Sequence, residues 1–442
     1  MSDLASIRPA RAPSASRFRW VIVALLFCAT TINYIDRQIL ALLKPMLDTE
    51  LGWTNEQYGA VNSAFQGAYA LSYVVFGWFI DRVGIKLGYT VSIVAWSLAA
   101  LAHGFVGSIR GFTFARVALG AGEGGNFPAC IKAVACWFPP RERALAASVF
   151  NSGTNVAAII APAVVPLIAF RYGWQMCFIV AGAAGFAWLV LWQLFYRNHP
   201  GESRFVSAAE RDLIERDQPK ETGAKPIGWL ALFGFRQTWA IVLAKFLTDP
   251  VWWFFLIWLP DFFKKTRGLD LKGSWVHLVT IYAIATVLSL GGGWLSGRLI
   301  NLGWTVTRAR KTAMFVFALC VVPVVFAPQL GDWAAVLLIG LACAAHQAWS
   351  ATIYASTSDM FPKRSIAAIS GIAGMAGAVG GMIFPLFAGR LLDHYQNAAG
   401  GESAGYGVLF TICVSAYVVA FLLNHVFAPR FDPVPLRESN PR

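Results

Sequence analysis

The sequence predicts an all-α membrane protein, with twelve transmembrane helices arranged as two related halves of six. Composition is the first observation behind this prediction, because the 442 residues are 57% hydrophobic and only 13% charged, about half the charge of a soluble domain. The second is that apolar runs follow one another along the whole chain, which excludes a soluble protein with a single anchor. The third is that stretches of the first half recur in the second.

The twelve apolar runs are long enough for helices that cross a hydrocarbon core of about 30 Å. In the first half they fall near 18–43, 57–80, 87–107, 109–137, 143–171 and 174–196. In the second half they fall near 236–262, 275–300, 311–329, 332–360, 364–393 and 404–428. The predicted domains are an N-terminal segment (1–17), a first bundle (18–196), a cytoplasmic linker (197–235), a second bundle (236–428) and a tail (429–442).

Lysine and arginine collect on the side of the membrane that holds both chain ends, for example Arg17, Arg82, Lys86, Arg310 and Lys311. This bias follows the positive-inside rule and predicts cytoplasmic termini. It also assigns the net charge of +13 to contact with anionic membrane lipid and not to nucleic acid. No cleavage site follows the first run and the loops are short, so we expect a retained first helix and a bacterial inner-membrane protein.

The seven cysteines are scattered, mostly through apolar runs, without CxxC or Cys/His spacing. They are expected to pack as small apolar residues, with no metal and no cofactor. The sequence also has no HExxH, GxSxG or phosphate-loop motif, which argues against a membrane-embedded enzyme. We therefore expect a non-enzymatic protein, most simply a monomer.

The internal repeat is clearest where residues 137–164 align without gaps on 360–387, and the GWFIDR of 77–82 recurs as the GWLSGR of 293–298. Many transporters are built from such repeats, with the substrate site at the repeat interface near the bilayer midplane. Small residues along both copies of the longer match allow neighbouring helices to approach closely and slide. The repeat therefore favours a transporter.

Charged residues inside the apolar runs mark the candidate site. Asp36 and Arg37 lie in the first run, and Arg116 and Glu123 lie two turns apart on one face of the fourth. Charges at this depth are costly and demand partners or a water-lined cavity. One interpretation is purely structural, with Asp36 paired to Arg116 or Arg37 to Glu123. The other is proton-coupled anion transport, in which burial favours protonated Asp36 and Glu123 and leaves the planar Arg37 fork for a substrate carboxylate.

Two sets of motifs resemble a known family. GWFIDRVGIK (77–86) resembles the loop signature of the major facilitator superfamily, which implies an inner gate at Asp81 and Arg82, with Arg298 in the second copy. The second copy has Gly297 in place of the aspartate, so such a gate is asymmetric. Within that superfamily, further stretches resemble the anion:cation symporter family: INYIDRQIL (32–40), RVALGAGEGGNFPACIKAVACWFP (116–139) and FNSGTNVAAIIAP (150–162). KFLTDPVWWFFLIWLP (245–260) and AHQAWSATIYASTSDMFP (345–362) look most like its hexuronate branch.

This resemblance implies a proton-coupled symporter that imports a sugar-acid anion by alternating access, with hexuronate first and galactonate or glucarate next. Asp36 and Glu123 would carry protons, and Arg37 would bind the substrate carboxylate. The other expected substrate contacts are Tyr34, Tyr69, Arg116, Thr154, Asn155, Trp253, His346, Gln347 and Trp349. The serious alternative of the same fold is an organophosphate, phosphate or other organic-anion transporter, because it would share the arginines.

Several of these residues also have plain structural interpretations. A lone membrane histidine such as His346 is often a satisfied packing residue, and aromatic side chains such as Trp252 and Trp253 are common lipid-facing fillers. Asp249 precedes Pro250, which predicts a break in the seventh helix, and its spacing of four from Lys245 predicts a structural ion pair. In the linker, Ser207 ahead of Glu210 predicts a capping box on a short helix. That helix is most simply part of a tether, although a regulatory role stays open.

Overall fold

The computed structural model describes residues 16–216, 229–361, 363–396 and 401–434, and nearly all of them are helical. The first half contains α1 (Phe18–Leu51), α2 (Asn55–Val83), α3 (Ile85–His103), α4 (Ile109–Glu123), α5 (Asn126–Trp137), α6 (Pro140–Tyr172) and α7 (Trp174–Phe195). The linker holds a 3-10 turn (Pro200–Glu202), α8 (Ala208–Arg216) and α9 (Trp229–Leu232). The second half contains α10 (Arg236–Arg267), α11 (Leu271–Asn301), α12 (Val306–Val321) with a 3-10 extension (Val322–Gln329), α13 (Asp332–Met360), α14 (Lys363–Gln396) and α15 (Gly401–Phe427).

These helices coincide with the twelve predicted runs, since α4 and α5 together form the fourth and α12 with its extension forms the ninth. Among the described residues, nine helices are long and apolar enough to cross a membrane by length and composition. Of the other three runs, the fourth is interrupted and α11 is apolar mainly over Gly273–Ser289. The predicted all-α membrane fold with two six-helix halves is confirmed.

The interruption between α4 and α5 brings Glu123 to the end of a helix in the interior of the first half. A Cβ on Gly124 would collide with Ser72, and one on Gly125 would collide with Ser92, so α2 and α3 pack directly against this backbone. Ser92 donates its hydroxyl to the Gly122 carbonyl at 2.6 Å. The glycines therefore allow a close approach of α2 and α3 that any larger side chain at these positions would prevent.

The two halves meet along two pairs of helices, α2 with α14 and α6 with α11. The sequence repeat relates α2 to α11 and α6 to α14, so the two contacts are copies of each other under the repeat. The first helices of the halves, α1 and α10, also touch. A pseudo-two-fold interface of this kind is how inverted or parallel repeats surround a site between them.

One end of the bundle, which we call the closed end, is joined by a buried polar cluster around Lys44 of α1. Its ammonium lies 2.7 Å from Asp261 Oδ1 of α10, 2.9 Å from Asp48 Oδ2 and 3.0 Å from Asn55 Oδ1. Tyr406 of α15 donates to the other oxygen of Asp261 at 2.6 Å. Lys44 and Asp261 are almost completely buried, so the halves are joined there by a desolvated ion pair.

A second set of bonds at the closed end joins α2 to α14. Asp393 accepts the backbone N–H groups of Asn55 (2.9 Å) and Glu56 (2.7 Å), and Arg390 pairs with Glu56 at 2.7 Å. Further along, Gly59 packs on the backbone of Pro385 and Gly67 on the side chain of Met382. Nearer the other end, Gly77 and Gly374 face open space among the described residues. Among the described residues, the hydrogen bonds and ion pairs between the two halves all lie toward the closed end, and none lies toward the opposite end.

Two local predictions need correction. The seventh span does not break at Asp249-Pro250, because α10 is continuous from Arg236 to Arg267. Pro250 leaves the Phe246 carbonyl without its helical donor, but Gly380 of α14 packs directly on that carbonyl and on the proline ring. Close helix packing thus supports the proline inside the helix, in a way that the sequence of α10 alone does not reveal.

The predicted capping box of α8 forms only in part. Glu210 N donates to Ser207 Oγ at 3.2 Å, but the Glu210 carboxylate does not turn back to its own helix. It accepts from the backbone N–H groups of Phe18 (3.1 Å) and Arg19 (3.2 Å) and pairs with the Arg19 guanidinium at 2.8 Å. Glu210 thereby caps α1 and fastens the linker helix to the first half.

Candidate functional site

The central feature of the site is an ion pair between α1 and α4. Arg37 Nε lies 2.5 Å from Glu123 Oε2, with the two side chains 5% and 0% exposed. This is one of the two pairings that the sequence left open. The terminal nitrogens of Arg37, Nη1 and Nη2, have no hydrogen-bond partner within the described part of the chain. Arg37 is therefore held by one nitrogen, and its two buried terminal nitrogens keep unused donor capacity.

An aromatic cage surrounds the Arg37 guanidinium. Its carbon lies 4.3 Å from the ring centre of Tyr69, 4.7 Å from Tyr34, 5.4 Å from Phe65 and 5.6 Å from Trp253. Such cation–π contacts stabilise a guanidinium without using its N–H donors. Trp253 comes from α10, so the cage closes across the interface between the halves. Of the predicted substrate residues, the structure thus brings Tyr34, Tyr69 and Trp253 to Arg37.

Asp36 and Arg116 lie beside this pair but do not form the second predicted ion pair. Asp36 is 2% exposed, and among the described residues no hydrogen bond reaches either of its oxygens. Arg116 is 1% exposed and donates through Nη2 to the Arg37 carbonyl at 3.3 Å, with its guanidinium 5.5 Å from the Phe65 ring centre. Buried polar groups without hydrogen-bond partners are costly and rare in folded proteins. Here several of them lie together beside the Arg37–Glu123 pair.

Two neighbouring amides add to this set, and the sequence prediction missed both. Asn33 is fully buried on α1, and Gln66 is 1% exposed on α2. Neither amide has a hydrogen-bond partner among the residues that the structure describes. The signal that could have found them is their spacing: Asn33 precedes Arg37 by one helical turn, and Gln66 precedes Tyr69 by three residues.

The predicted contacts from α6 are only partly oriented toward the site. Thr154 is 8% exposed and donates its hydroxyl to the Asn151 carbonyl of its own helix at 2.9 Å. Asn155 is half-buried. A Cβ on Gly153 would collide with the Phe27 carbonyl and Thr31 of α1, so α6 lies directly against the helix that carries Arg37.

The predicted contacts from α13 pack mainly within the second half. His346 Nδ1 lies 2.6 Å from the Tyr417 hydroxyl, and its ring stacks on Trp252 at 5.5 Å. Trp349 is fully buried and packs edge-on against Tyr417 at 5.5 Å. Gln347 is half-buried. The structure therefore gives His346 and Trp349 packing partners of their own, which is the plain interpretation that the sequence had left open for His346.

The predicted gate lies far from this cluster, at the end opposite the closed end. The Asp81 side chain is outside the described residues. Arg82 is exposed with its guanidinium 4.2 Å from the Trp78 ring centre, and Arg298 is exposed on α11. The gate assignment stays a prediction. Within the described chain, no group of three His, Cys, Asp or Glu side chains is placed to hold a metal ion.

A buried charged centre between two repeated helix bundles, joined at the closed end, defines the class as a membrane transporter and not an enzyme. Residues 26–385 match the family model of the Major Facilitator Superfamily. The chain belongs to that superfamily.

Curated relatives and solved structures agree with this assignment. The hexuronate transporter of Escherichia coli strain K12 is 32% identical over 380 residues, which cover 85% of this chain and 88% of the relative. The D-galactonate transporter of Escherichia coli O6:H1 is 29% identical over 402 residues, which cover 88% and 93%. A bacterial homologue of the human lysosomal transporter Spinster, solved in an inward-facing and unoccupied conformation, has the same fold with a TM-score of 0.76 at 17% identity, covering 95% of this chain and 100% of that one.

Proposed function

We propose that this protein is a proton-coupled symporter that imports a sugar-acid anion, with hexuronate as the first candidate and galactonate or glucarate next. The observation that carries the proposal is the Arg37 fork, buried in an aromatic cage with Nη1 and Nη2 unpaired among the described residues. A planar guanidinium presents two parallel donors that match one carboxylate. Relatives named as hexuronate and D-galactonate transporters support a sugar acid as the bearer of that carboxylate.

Proton uptake is coupled to anion binding because Glu123 and the substrate carboxylate compete for the charge of Arg37. A substrate carboxylate bound at the fork neutralises the charge that now balances Glu123 at 2.5 Å. Glu123 would then be a buried carboxylate without a counter-charge, which is strongly unfavourable unless it takes up a proton. Proton and anion thus enter together, and loss of the proton restores the Arg37–Glu123 pair and expels the anion. Asp36 stands beside the pair as a second proton carrier.

Alternating access supplies the route. With both termini cytoplasmic, as the positive-inside pattern predicts, the closed end that contains Lys44 and Asp261 lies on the periplasmic side. The described conformation would then be open toward the cytoplasm and poised to release substrate. Import requires the closed end to part and the predicted gate at Asp81, Arg82 and Arg298 to form at the opposite end.

The test is transport by the purified protein in proteoliposomes. Glu123→Gln keeps the shape of the side chain but cannot exchange a proton, so we expect it to lose accumulation of glucuronate driven by a pH gradient while it retains counterflow exchange. Glu215→Gln, which alters an exposed carboxylate of the linker helix α8, is the matched control and should still accumulate. Full concentrative uptake by Glu123→Gln would contradict the coupling role.

The same assay separates the sugar-acid proposal from the alternative of an organophosphate or phosphate carrier. The panel contains glucuronate, galacturonate, galactonate, glucarate and glycerol phosphate, each measured with and without an uncoupler. We expect the sugar acids to be taken up and the uncoupler to abolish their accumulation. A preference for the phosphate ester would overturn the choice of substrate while leaving the transporter class intact.

A further inference from the structure

A second ion pair lies inside the membrane region of the other half. Lys245 Nζ of α10 is 2.8 Å from Asp249 Oδ1 on the same helix, with side chains 5% and 17% exposed. The ammonium also donates to Ser350 Oγ of α13 at 3.0 Å and lies 4.7 Å from the ring centre of Tyr354, which is 39% exposed. The sequence predicted a purely structural role for Asp249, and that role explains why the two side chains pair. It does not explain why two charges are buried despite the free energy needed to remove them from water.

The energetic balance argues against simple bracing. An ion pair at spacing four on one helix stabilises that helix only slightly, whereas removal of both charges from water is expensive. The ion pair itself forms within α10, and its link to α13 consists of one hydrogen bond to Ser350 and the contact with the Tyr354 ring. Opposite it, α14 presents Gly377, where any Cβ would collide with the Asp249 carboxylate. The second half therefore makes room for a buried charge pair that its packing does not require, which by default marks a functional site.

The position of the pair connects it to the Arg37 centre. Asp249 precedes Trp253 by four residues, so both lie on one face of α10 about 5–6 Å apart along the axis. Trp253 is part of the Arg37 cage, with its ring centre 5.6 Å from the guanidinium carbon. The closed end lies in the opposite direction along α10, at Asp261. The pair therefore lies one turn from the carboxylate centre, on the side away from the closed end.

We propose that Lys245 and Asp249 form the subsite that binds hydroxyl groups of the sugar acid, and that they determine which epimer is carried. Asp249 accepts a hydrogen bond from one hydroxyl and Lys245 donates one to its neighbour, while Trp253 contacts the C–H face between this pair and Arg37. A hydroxyl both donates and accepts, so a fixed donor beside a fixed acceptor suits two adjacent hydroxyls of defined stereochemistry. The inference rests on the sugar-acid transport proposed above. It identifies the residues that bind the end of the substrate opposite its carboxylate.

The experiment measures competition against glucuronate counterflow by galacturonate, its C4 epimer, and by monodeoxy glucuronates. In the unaltered protein we expect at least one deoxy analogue or the epimer to compete about tenfold more weakly than glucuronate. Asp249→Asn and Lys245→Met should raise the KM for glucuronate about tenfold and reduce that discrimination to within about twofold. The proton dependence of accumulation should not change, because Glu123 is untouched. Glu215→Gln, which breaks the exposed pair at the same spacing in α8, is the matched control.

Each result of this experiment either supports or contradicts the inference. Unchanged discrimination in a folded Asp249→Asn protein, or equal competition by every deoxy analogue and epimer in the unaltered protein, would show that the pair only braces α10. The analogue series needs no variant, so it can contradict the inference even if the substitutions prevent folding. Absence of sugar-acid transport by the unaltered protein would instead remove the proposed function itself. Transport with unchanged selectivity in the variants would remove this inference alone.

Discussion

Two clusters of buried charge lie two turns apart on α1, and they differ in how well their atoms are paired. At the closed end, Lys44 has three oxygen partners between 2.7 and 3.0 Å, and both oxygens of Asp261 are bonded. Around Arg37, the terminal guanidinium nitrogens, both oxygens of Asp36 and one oxygen of Glu123 lack hydrogen bonds among the described residues. Burial is similar in the two places, so burial alone does not identify the site. Unsatisfied hydrogen-bonding capacity distinguishes the candidate site from the closed end.

We call the Lys44–Asp261 group, whose oxygens and ammonium are all bonded, the saturated cluster. Its residues also have partners within their own halves, which would remain if the halves moved apart. Lys44 keeps Asp48 on its own helix when Asp261 moves away, and Asp261 keeps Tyr406 of the second half. The N-terminus of α2 likewise keeps the capping box of Thr54 and Gln57 when Asp393 departs. A buried charge stripped of its last partner costs about 3–5 kcal/mol, and these second partners reduce that cost. Under the proposed alternating access, these second partners would allow the closed end to part and to form again.

The largest expected effect comes from the unsatisfied cluster. Arg37→Gln should lower both accumulation and counterflow of glucuronate by more than about 100-fold, because two charge-assisted hydrogen bonds are worth roughly 3 kcal/mol or more. Arg37→Lys keeps the charge without the fork and should retain weak transport. Initial rates in proteoliposomes measure both. Normal counterflow by Arg37→Gln would remove this residue from substrate binding.

The next effect concerns the saturated cluster. Asp261→Asn removes one partner of Lys44, so the closed end should open more often, seen as longer distances between spin labels at Thr49 and Gln329, which are both exposed. Glu402→Gln, which removes the Lys265 partner within the second half, should leave the distance distribution unchanged. A combined Lys44→Met and Asp261→Leu protein should close again, because well-packed apolar residues replace a buried ion pair without loss. An unaltered distribution in Asp261→Asn would show that this ion pair does not hold the halves together.

The smallest effect separates two tryptophans that the sequence treated alike. Trp253→Phe weakens one side of the Arg37 cage and should raise the KM for substrate about two- to fivefold, as expected for a contact of about 0.5–1 kcal/mol. Trp349→Phe should leave KM unchanged and lower the thermal unfolding temperature, because Trp349 fills the interior against Tyr417. Paired transport and unfolding measurements test both. The reverse pattern would place Trp349, and not Trp253, at the substrate.

The candidate site was predictable from sequence to the extent that it consists of charges in apolar runs. Asp36, Arg37, Arg116 and Glu123 stand out because a charge at that depth needs a reason. The partner of each charge was not predictable, since periodicity places residues on a face without fixing the rotation of neighbouring helices. The structure pairs Arg37 with Glu123 and leaves Asp36 without a hydrogen bond among the described residues.

In the second half, the unknown rotation and packing of neighbouring helices led to more predictions that the structure did not support. His346 and Trp349 appear polar or amphipathic in an otherwise apolar run, yet α13 is rotated so that both meet Tyr417 of α15. Pro250 was expected to break its helix, but a glycine more than one hundred residues away packs on the carbonyl that the proline leaves free. These outcomes depend on contacts between helices distant in sequence.

The sequence by itself determined the twelve-helix, two-half architecture. Lipid offers no hydrogen-bond partners to the backbone, so a long apolar run in a membrane has to be a helix. It also determined which residues carry charge into the membrane, because each stands alone against its local composition. Only the tertiary structure decided which charges are paired, which face of each helix meets the site and which end of the bundle is closed. These are set by close packing and hydrogen-bond geometry between helices, and a linear pattern does not contain them.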